Sequence, residues 1–372
     1  MEWQCLDLVL EQFHQQKILH KNIIIQMNSF LSAIGIKNIH ISSRQIIILN
    51  VFVITSCVCF LIASVTGSIN VSIGNLIRGD ISELTRIVLI EIRLPRVILA
   101  ALVGASLGIS GAALQGLFRN PLADPGLIGV SAGAALGATL VIVLGSSISG
   151  GLFLGSFLLP LGAISGAMLV IMMLYLLTKG FGYQGVTYML LVGIAVNAIA
   201  GVGIGILTFI STDSELRGLT FWTMGSFGGV TWPLLIPAII IIIISISSMM
   251  TVSRNLDLIQ LGEPEAYRLG VDVKKLKYKI IISCAAAVGA SVSLSGMIGF
   301  VGLVVPHLVR LFGGVNHNYL LPGSAFVGAA LMITADMLSR TIIQPAELPV
   351  GLITSAIGSP FFLWLIFRIK RS

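Results

Sequence analysis

Few polar side chains within the apolar runs of this sequence have types and spacings suited to chemistry. Polar groups are costly to place in a hydrophobic run, so those found there are candidates for function. The candidates are Gln115, Asn197, His307 and Asp336. A proton relay needs several carboxylates on facing helices, but Asp336 is the only carboxylate well inside such a run. Arg340 follows it at a spacing that favours an ion pair on one helix face.

Metal, redox and nucleotide chemistry have little support in the motifs. His307 follows Pro306 without a second metal ligand beside it, so we expect it to hydrogen-bond backbone groups that the proline frees. The four cysteines form no C-x-x-C pair, and three lie in apolar runs, which indicates small hydrophobic residues. The sequence has no G-x-x-x-x-G-K-[ST] or H-E-x-x-H motif. This excludes ATP binding through the first motif and argues against a membrane-embedded enzyme.

The composition indicates that membrane-spanning helices position these residues. The chain has 372 residues, of which 56% are hydrophobic and only 10% are charged. A soluble domain has about 25% charged residues, so this chain has too little charge to cover a soluble surface. The net charge of +7 comes from basic residues in short loops, without the aromatic-interleaved patch of a nucleic-acid-binding protein. We therefore predict an all-α polytopic membrane protein.

A helix that spans a bilayer needs about 20 apolar residues, and that length predicts eight clear spans. They are 46–66, 97–118, 127–145, 152–177, 187–210, 232–252, 322–343 and 350–368. A further apolar segment, 280–312, is interrupted by Gly296 and Gly299. It is either one long helix or two spans, the second unusually short.

Charge favours the second alternative for 280–312. Lysine and arginine are enriched on the cytoplasmic side of membrane proteins, and both termini of this chain are basic. If both termini are cytoplasmic, the number of spans is even, and dividing 280–312 gives ten. Most lysines and arginines then fall in cytoplasmic segments, including 253–279.

Two patterns predict how the spans pack. "GASLGISG" at 104–111 is similar to "GASVSLSG" at 289–296, and the two run in opposite directions in the ten-span arrangement. This is either an inverted-topology repeat, as in many transporters, or chance in a chain rich in small residues. Glycines four residues apart favour close helix packing. These pairs are Gly104 and Gly108, Gly162 and Gly166, and Gly201 and Gly205.

The loop "FRNPLADPGLIG" at 118–129 contains two prolines and two glycines, which break helix continuity. Arg119 and Asp124 can pair there, and Asn120 can cap free backbone groups. The loop is either a tight turn between spans or a part of a cytoplasmic gate.

The segment 261–279 is the longest strongly charged stretch of the chain. Residues that typically begin or end helices, in this segment and just before it, predict two short helices. Asn255 is a suitable N-cap for the first, and Gly262 can end it in the left-handed conformation. Pro264 suits the first position of the second, and Gly270 can stop it. The lysines that follow are expected to hold the next span on the inner side.

Helices of this length are not stable alone in water, so they must pack on something. Leu261, Ala266 and Leu269 give a small apolar patch. The helices pack either on the protein's own span ends or on a cytoplasmic partner.

Four segments together resemble the FecCD-type permeases, the ten-span membrane subunits of ABC importers for iron chelates and cobalamin. They are "RLPRVILAALVGASLGISGAALQGLFRNPLADPGLIGVSAGAALGA", "LGEPEAYRLGVDV", "GFVGLVVPHLVRL" and "AELPVGLITSAIGSPFFLWLI". The resemblance covers about residues 46–370 and implies a type II ABC importer permease fold. Residues 1–45 depart from it, and we expect a cytoplasmic extension or a true start further along, for example at Met27.

The resemblance implies a transport subunit rather than an enzyme. It implies a homodimer in the bacterial inner membrane with both termini cytoplasmic, two cytoplasmic ATPase subunits and an external substrate-binding protein. No cofactor would be held permanently, and the ATPase subunits would use the ATP. The segment Ser214–Gly229 is most similar to the haem-uptake members. This favours haem as cargo, ahead of a ferric siderophore and then cobalamin; an ion-coupled secondary transporter is the alternative of a different class.

The resemblance also implies roles for particular residues. The positions that match the ATPase-coupling helices are Leu261, Gly262, Glu263, Ala266, Leu269 and Gly270. Arg93, Arg96 and Arg340 match external arginines that pair with glutamates of the binding protein. Asn120 falls in the inner gate region, together with the loop at Gly185 and Thr187.

Overall fold

The computed structural model describes residues 41–67, 82–148, 155–178, 185–343 and 345–371. The described helices all lie in one compact unit, Ser43–Ser372. They are α1 (Ser43–Val65), α2 (Glu83–Ile87), α3 (Leu94–Phe118), α4 (Val130–Ile148), α5 (Gly155–Thr178), α6 (Gly185–Ile210), α7 (Asp213–Met224), α8 (Trp232–Met250), α9 (Ser253–Ile259), α10 (Glu263–Arg268), α11 (Val273–Ser295), α12 (Val301–Gly313), α13 (His317–Thr341) and α14 (Val350–Arg371). A π-helical segment, Val88–Arg93, joins α2 to α3. The expected N-terminal extension lies almost entirely outside the described residues.

The prediction of an all-α membrane protein is confirmed. Seven helices of the described chain are long and apolar enough to cross a membrane, and three shorter apolar stretches accompany them. The segment 280–312 is not one helix, because α11 ends at Ser295 and α12 begins at Val301. Gly296 has a φ of 68° and Phe300 a φ of 67°, which reverses the backbone between the two helices. The count of ten spans stays a prediction.

Three helices form the centre of the bundle. Most of the surface of α3, α11 and α13 is buried inside the chain. By contrast, α1, α5, α6 and α8 leave most of their apolar surface exposed. Peripheral helices of a membrane protein expose apolar side chains because these side chains contact lipid rather than water.

Small residues let the central helices approach closely, as the sequence predicts. A Cβ atom on Gly104 would lie 2.1 Å from the carbonyl oxygen of Gly328, and one on Gly108 would lie 2.3 Å from that of Ser324. Gly162 and Gly166 of α5 meet α4 in the same way. Gly201 and Gly205 differ, because no atom of the described chain lies within 4 Å of a Cβ built there. The packing prediction is therefore confirmed for two of the three pairs.

The two similar segments of α3 and α11 contact each other. The hydroxyl of Ser291 donates to the hydroxyl of Ser106 over 2.9 Å, and these serines occupy matching positions of the two segments. Nearer the start of α11, Cys284 Sγ lies 3.8 Å from the carbonyl oxygen of Ser110. The contacts advance along α11 as they go back along α3, so the two helices run antiparallel. This geometry favours the inverted repeat over chance similarity.

Candidate functional site

The two short helices predicted in the charged segment are present as α9 and α10, with different boundaries. Asn255 as the N-cap is wrong, because α9 begins at Ser253 after a turn of only two residues from α8. Gly262 has a φ of 116° with an extended ψ of 152°, so it is not in the left-handed helical region. It caps α10, and Pro264 occupies the second helical position rather than the first.

Polar contacts fix α9 to the adjoining ends of α3 and α13. Gln260 Nε2 donates to the carbonyl oxygen of Gly116 over 2.7 Å. Asp257 Oδ1 accepts from the backbone N–H of His317 over 3.0 Å and lies 2.6 Å from its Nδ1. A short helix held at both neighbours is a rigid extension of the bundle. Packing on the protein's own span ends therefore accounts for the stability of α9.

A buried ion pair fixes α10 to α11. Lys277 Nζ lies 2.8 Å from Glu263 Oε2, and each side chain is only 8% exposed. Glu263 was predicted as a coupling residue, and Lys277 is one of the lysines predicted to hold the next span on the inner side. Neither role anticipated the pair, because helical periodicity does not relate residues on two separate helices. The Glu263 carboxylate is therefore buried against α11 and is not part of the exposed surface of α10.

The members of the predicted apolar patch of α9 and α10 differ in exposure. Ala266 is fully buried and packs within the chain. Leu261 and Leu269 are exposed, and Tyr267, which lies between them in sequence, is exposed as well. We call Leu261, Tyr267 and Leu269 the apolar face of this end. Gly262 is buried and Gly270, with a φ of 87°, ends α10.

The loop between α3 and α4 is held by its own backbone contacts. The predicted Arg119–Asp124 pair is wrong: Asp124 caps the 3₁₀ turn Pro125–Ile128 by accepting from the N–H of Gly126 over 2.8 Å. Burial raises the pKa of the Asp124 carboxyl, and the Gly126 N–H opposes that shift. Asn120 Oδ1 accepts from the N–H of Leu122 over 2.9 Å, as a capping residue does.

Helix α6 contacts this loop through the side-chain amide of its one asparagine. Asn197 Nδ2 donates to the carbonyl oxygen of Gly126 over 3.1 Å. Helix α6 begins at Gly185, so the gate candidates Gly185 and Thr187 lie in its first turn. Their gate role, like that of Asn120, stays a prediction.

The remaining polar candidates also make structural contacts. Gln115 Nε2 donates to the carbonyl oxygen of Gly302 over 3.1 Å, and Gln115 Oε1 accepts from Arg310 Nη2. The ring of His307 contacts that of Phe361 edge-on, with centroids 5.8 Å apart. Across the described ranges, no group of three or more His, Cys, Asp or Glu side chains has the arrangement of a metal site.

A cluster of charged residues lies at the opposite ends of α3 and α13 from α9. We call Arg93, Arg96, Asp336, Arg340 and Glu347 the arginine cluster. Arg96 Nε and Nη2 each lie 2.9 Å from Asp336 Oδ1, and Arg96 Nη1 donates to both oxygens of Glu347 at 2.9 Å. Arg340 Nε lies 3.1 Å from Asp336 Oδ2, which confirms the predicted pair.

Two arginines of the cluster also hold the end of α1. Arg93 Nη1 donates to the carbonyl oxygen of Val65 over 2.6 Å. Arg340 donates to the carbonyl oxygens of Ala63 and Thr66, each over 3.3 Å. The arginines were predicted to be external docking groups, but Arg93 and Arg96 are buried and have acceptors within the chain. Their docking role stays a prediction.

The polar contacts bear on the alternative of a proton-coupled carrier. Asp336 is 1% exposed and lies between two arginines, which makes it a structural anion rather than one step of a relay. Glu347 was not among the predicted site residues. Its contact with Arg96 could not be found from spacing, because the two residues are far apart in sequence.

Comparisons with known proteins agree with the fold. The FecCD transport family matches residues 52–368. The hemin transport system permease protein HmuU of Yersinia pestis is 44% identical over 305 residues, 82% of this chain and 90% of that protein. The vitamin B12 import system permease protein BtuC of Vibrio vulnificus is 37% identical over 299 residues, 78% of this chain and 86% of that protein.

A solved structure is similar over nearly its whole length. It is described as an inward-facing conformation of a metal-chelate type ABC transporter. It has a TM-score of 0.77 and 32% sequence identity, and the match covers 86% of this chain and 99% of that one. The chain therefore belongs to the FecCD transport family and is a multi-pass permease subunit of an ABC importer, not an enzyme.

Proposed function

We propose that this permease moves haem across the bacterial inner membrane. The single observation that carries the proposal is the 44% identity to the hemin transport permease of Yersinia pestis over 90% of that protein. The vitamin B12 permeases are similar over comparable lengths at lower identity. A ferric siderophore and cobalamin are therefore the alternative cargoes.

The segment Ser214–Gly229, whose similarity to haem-uptake permeases favours haem as the cargo, contributes to the lining of a cavity. Phe221 and Trp222 of α7 border a space of about 400 Å³, together with the loop 226–230 and the end of α11. The helix is fixed at its start by a capping box between Thr212 and Glu215. Aromatic side chains beside a partly polar loop suit a large planar cargo with an apolar body. This cavity lies beside the arginine cluster, since a Cβ on Gly228 would be 3.9 Å from Arg96 and Glu347.

Membership of the family implies ATPase subunits and a substrate-binding protein. In our proposal the permease is a homodimer with two ATPase subunits, which hydrolyse the ATP. Both termini are cytoplasmic, as the distribution of basic residues favours. The end with α9 and α10 is then cytoplasmic, and the arginine cluster is external.

The apolar face of α9 and α10 is the proposed contact for the ATPase. Leu261, Tyr267 and Leu269 project from helices that are fixed to α3, α11 and α13 by Gln260, Asp257 and the Glu263–Lys277 pair. A displacement of this face by the ATPase would move the ends of the central helices as well. In this proposal Glu263 and Ala266 hold α10 in place, and Gly262 and Gly270 set the backbone conformation at its two ends.

The arginine cluster is the proposed docking place for the binding protein. The cluster contains three arginines and two carboxylates, which leaves a positive balance. Acidic side chains on the binding protein would complement it and orient the encounter. The loop around Asn120 and the first turn of α6 at Gly185 and Thr187 form the proposed cytoplasmic gate, joined by Asn197.

Reconstitution in liposomes tests the cargo. The permease is assembled with its ATPase, and ATP hydrolysis is measured with the binding protein empty, or mixed with haem, a ferric siderophore or cobalamin. We expect haem to give the largest stimulation over the empty protein. A larger stimulation by the siderophore or by cobalamin would contradict the haem assignment and leave the importer role intact.

A further inference from the structure

We propose that Glu347 is an internal competitor for Arg96, which the binding protein must displace when it docks. The inference deepens the proposed docking role of the arginine cluster and rests on it. Glu347 would occupy the place of an acidic side chain of the partner while the permease is undocked. Docking would then exchange one carboxylate for another on the same guanidinium.

The guanidinium of Arg96 is divided between two carboxylates of different exposure. Its Nε and Nη2 point to Asp336, which is 1% exposed and also contacts Arg340. Its Nη1 points to Glu347, whose side chain is 49% exposed. The Asp336 side of Arg96 is closed to any partner. The Glu347 side is the one that solvent, and therefore another protein, can reach.

The backbone around Glu347 allows the side chain to leave without unfolding the segment. The next residue, Leu348, donates its N–H to the carbonyl oxygen of Ser339 over 3.0 Å. Val350 donates to the carbonyl oxygen of Gly225 over 3.0 Å. Rotation of the Glu347 side chain alone would release Arg96 Nη1, and both backbone contacts would remain. Arg96 would stay oriented by Asp336 throughout the exchange.

Such an exchange explains how a buried arginine serves as a docking group. Donors of a buried guanidinium that are left without an acceptor are costly, so Glu347 keeps Arg96 Nη1 paired before docking. A carboxylate that is half exposed binds weakly, so its release does not prevent docking. Partners without a well-placed carboxylate gain nothing from displacing Glu347, which favours the correct partner.

The test measures binding of the importer's own binding protein to the full permease–ATPase complex in nanodiscs at low salt. Glu347→Gln and Glu347→Ala remove the competitor. Glu91→Gln is the matched control, because Glu91 is an exposed carboxylate two residues before Arg93 in the helix that leads to Arg96. We expect both Glu347 variants to bind about 2- to 5-fold more tightly than the unchanged permease, and Glu91→Gln to bind with much less change.

A double-mutant cycle separates this inference from the docking role itself. Replacing Arg96→Gln together with Asp336→Asn removes opposite buried charges at once, which limits misfolding. In that background Glu347→Gln should not increase the affinity for the binding protein any further, because Arg96, the partner of Glu347, is absent. If the Arg96 and Asp336 replacements do not weaken binding, docking at Arg96 is wrong.

If those replacements weaken binding but the Glu347 variants are no tighter than Glu91→Gln, the competitor role is wrong and docking stands. If the Arg96 and Asp336 variant fails to assemble, the comparison of the Glu347 variants with Glu91→Gln still tests the competitor role of Glu347. The Glu347 and Glu91 variants replace exposed carboxylates and leave both buried charges of Arg96 and Asp336 in place.

Discussion

Both ends of the permease are built around ion pairs, but the pairs differ in exposure. At the α9–α10 end, Glu263 and Lys277 are each 8% exposed and face each other alone. At the other end, Arg96 divides its donors between the buried Asp336 and the half-exposed Glu347. The first arrangement joins α10 to α11, whereas the second leaves one partner that, in our proposal, can be exchanged. A surface that transmits movement needs the first, and a surface that binds and releases a protein needs the second.

The largest effect is expected from breaking the fixed pair. Glu263→Ala leaves Lys277 charged and buried without its partner, which should lower the free energy of unfolding by about 3–5 kcal/mol. Thermal unfolding of the purified permease would measure the loss. The double variant Glu263→Leu with Lys277→Met removes both charges and should recover most of that stability. A Glu263→Ala protein as stable as the unchanged one would show that this pair does not fix α10.

A smaller effect is expected from the apolar face, and it concerns coupling rather than folding. Leu261→Ser with Leu269→Ser removes two exposed apolar side chains from the proposed ATPase contact. We expect about tenfold weaker ATPase binding, equivalent to about 1.4 kcal/mol, and correspondingly slower uptake. Unfolding temperature should change little, because exposed side chains contribute little to folding.

Leu84→Ser is the control for the apolar face. Leu84 lies in α2, which leads toward the arginine cluster, and it is exposed to a similar degree. This variant should bind the ATPase normally. If it weakens ATPase binding as much as the Leu261 and Leu269 variant does, then the apolar face has no particular role in that contact.

The sequence was sufficient for features that depend on local pattern. Composition predicted the membrane class, Gly296 marked the break between α11 and α12, and glycine with proline marked the two short helices. The spacing of Asp336 and Arg340 predicted their pair, because both lie on one helix.

Features that depend on tertiary contacts were missed or misassigned. The Glu263–Lys277 and Arg96–Glu347 pairs join separate elements, and no periodicity relates them. The sequence grouped Ala266 with Leu261 and Leu269 but could not say which of them is buried, because the direction of a short helix is set by what it packs on. Gly201 and Gly205 matched a packing pattern but face no described atom of their own chain, since the pattern does not say which helix is the neighbour.

The smallest effect is a difference in salt dependence between the two ends. In our proposal, binding-protein docking at the arginine cluster relies on charge, and the Debye length falls from about 10 Å at 0.1 M salt to about 3 Å at 1 M. We expect docking to weaken several-fold over that range, mainly through slower association. The proposed ATPase contact through Leu261, Tyr267 and Leu269 relies on apolar burial and should change little or strengthen. Titrating salt in the same nanodisc sample measures both affinities side by side. Equal weakening of the two contacts would contradict the division into an exchangeable charged end and an apolar coupling end.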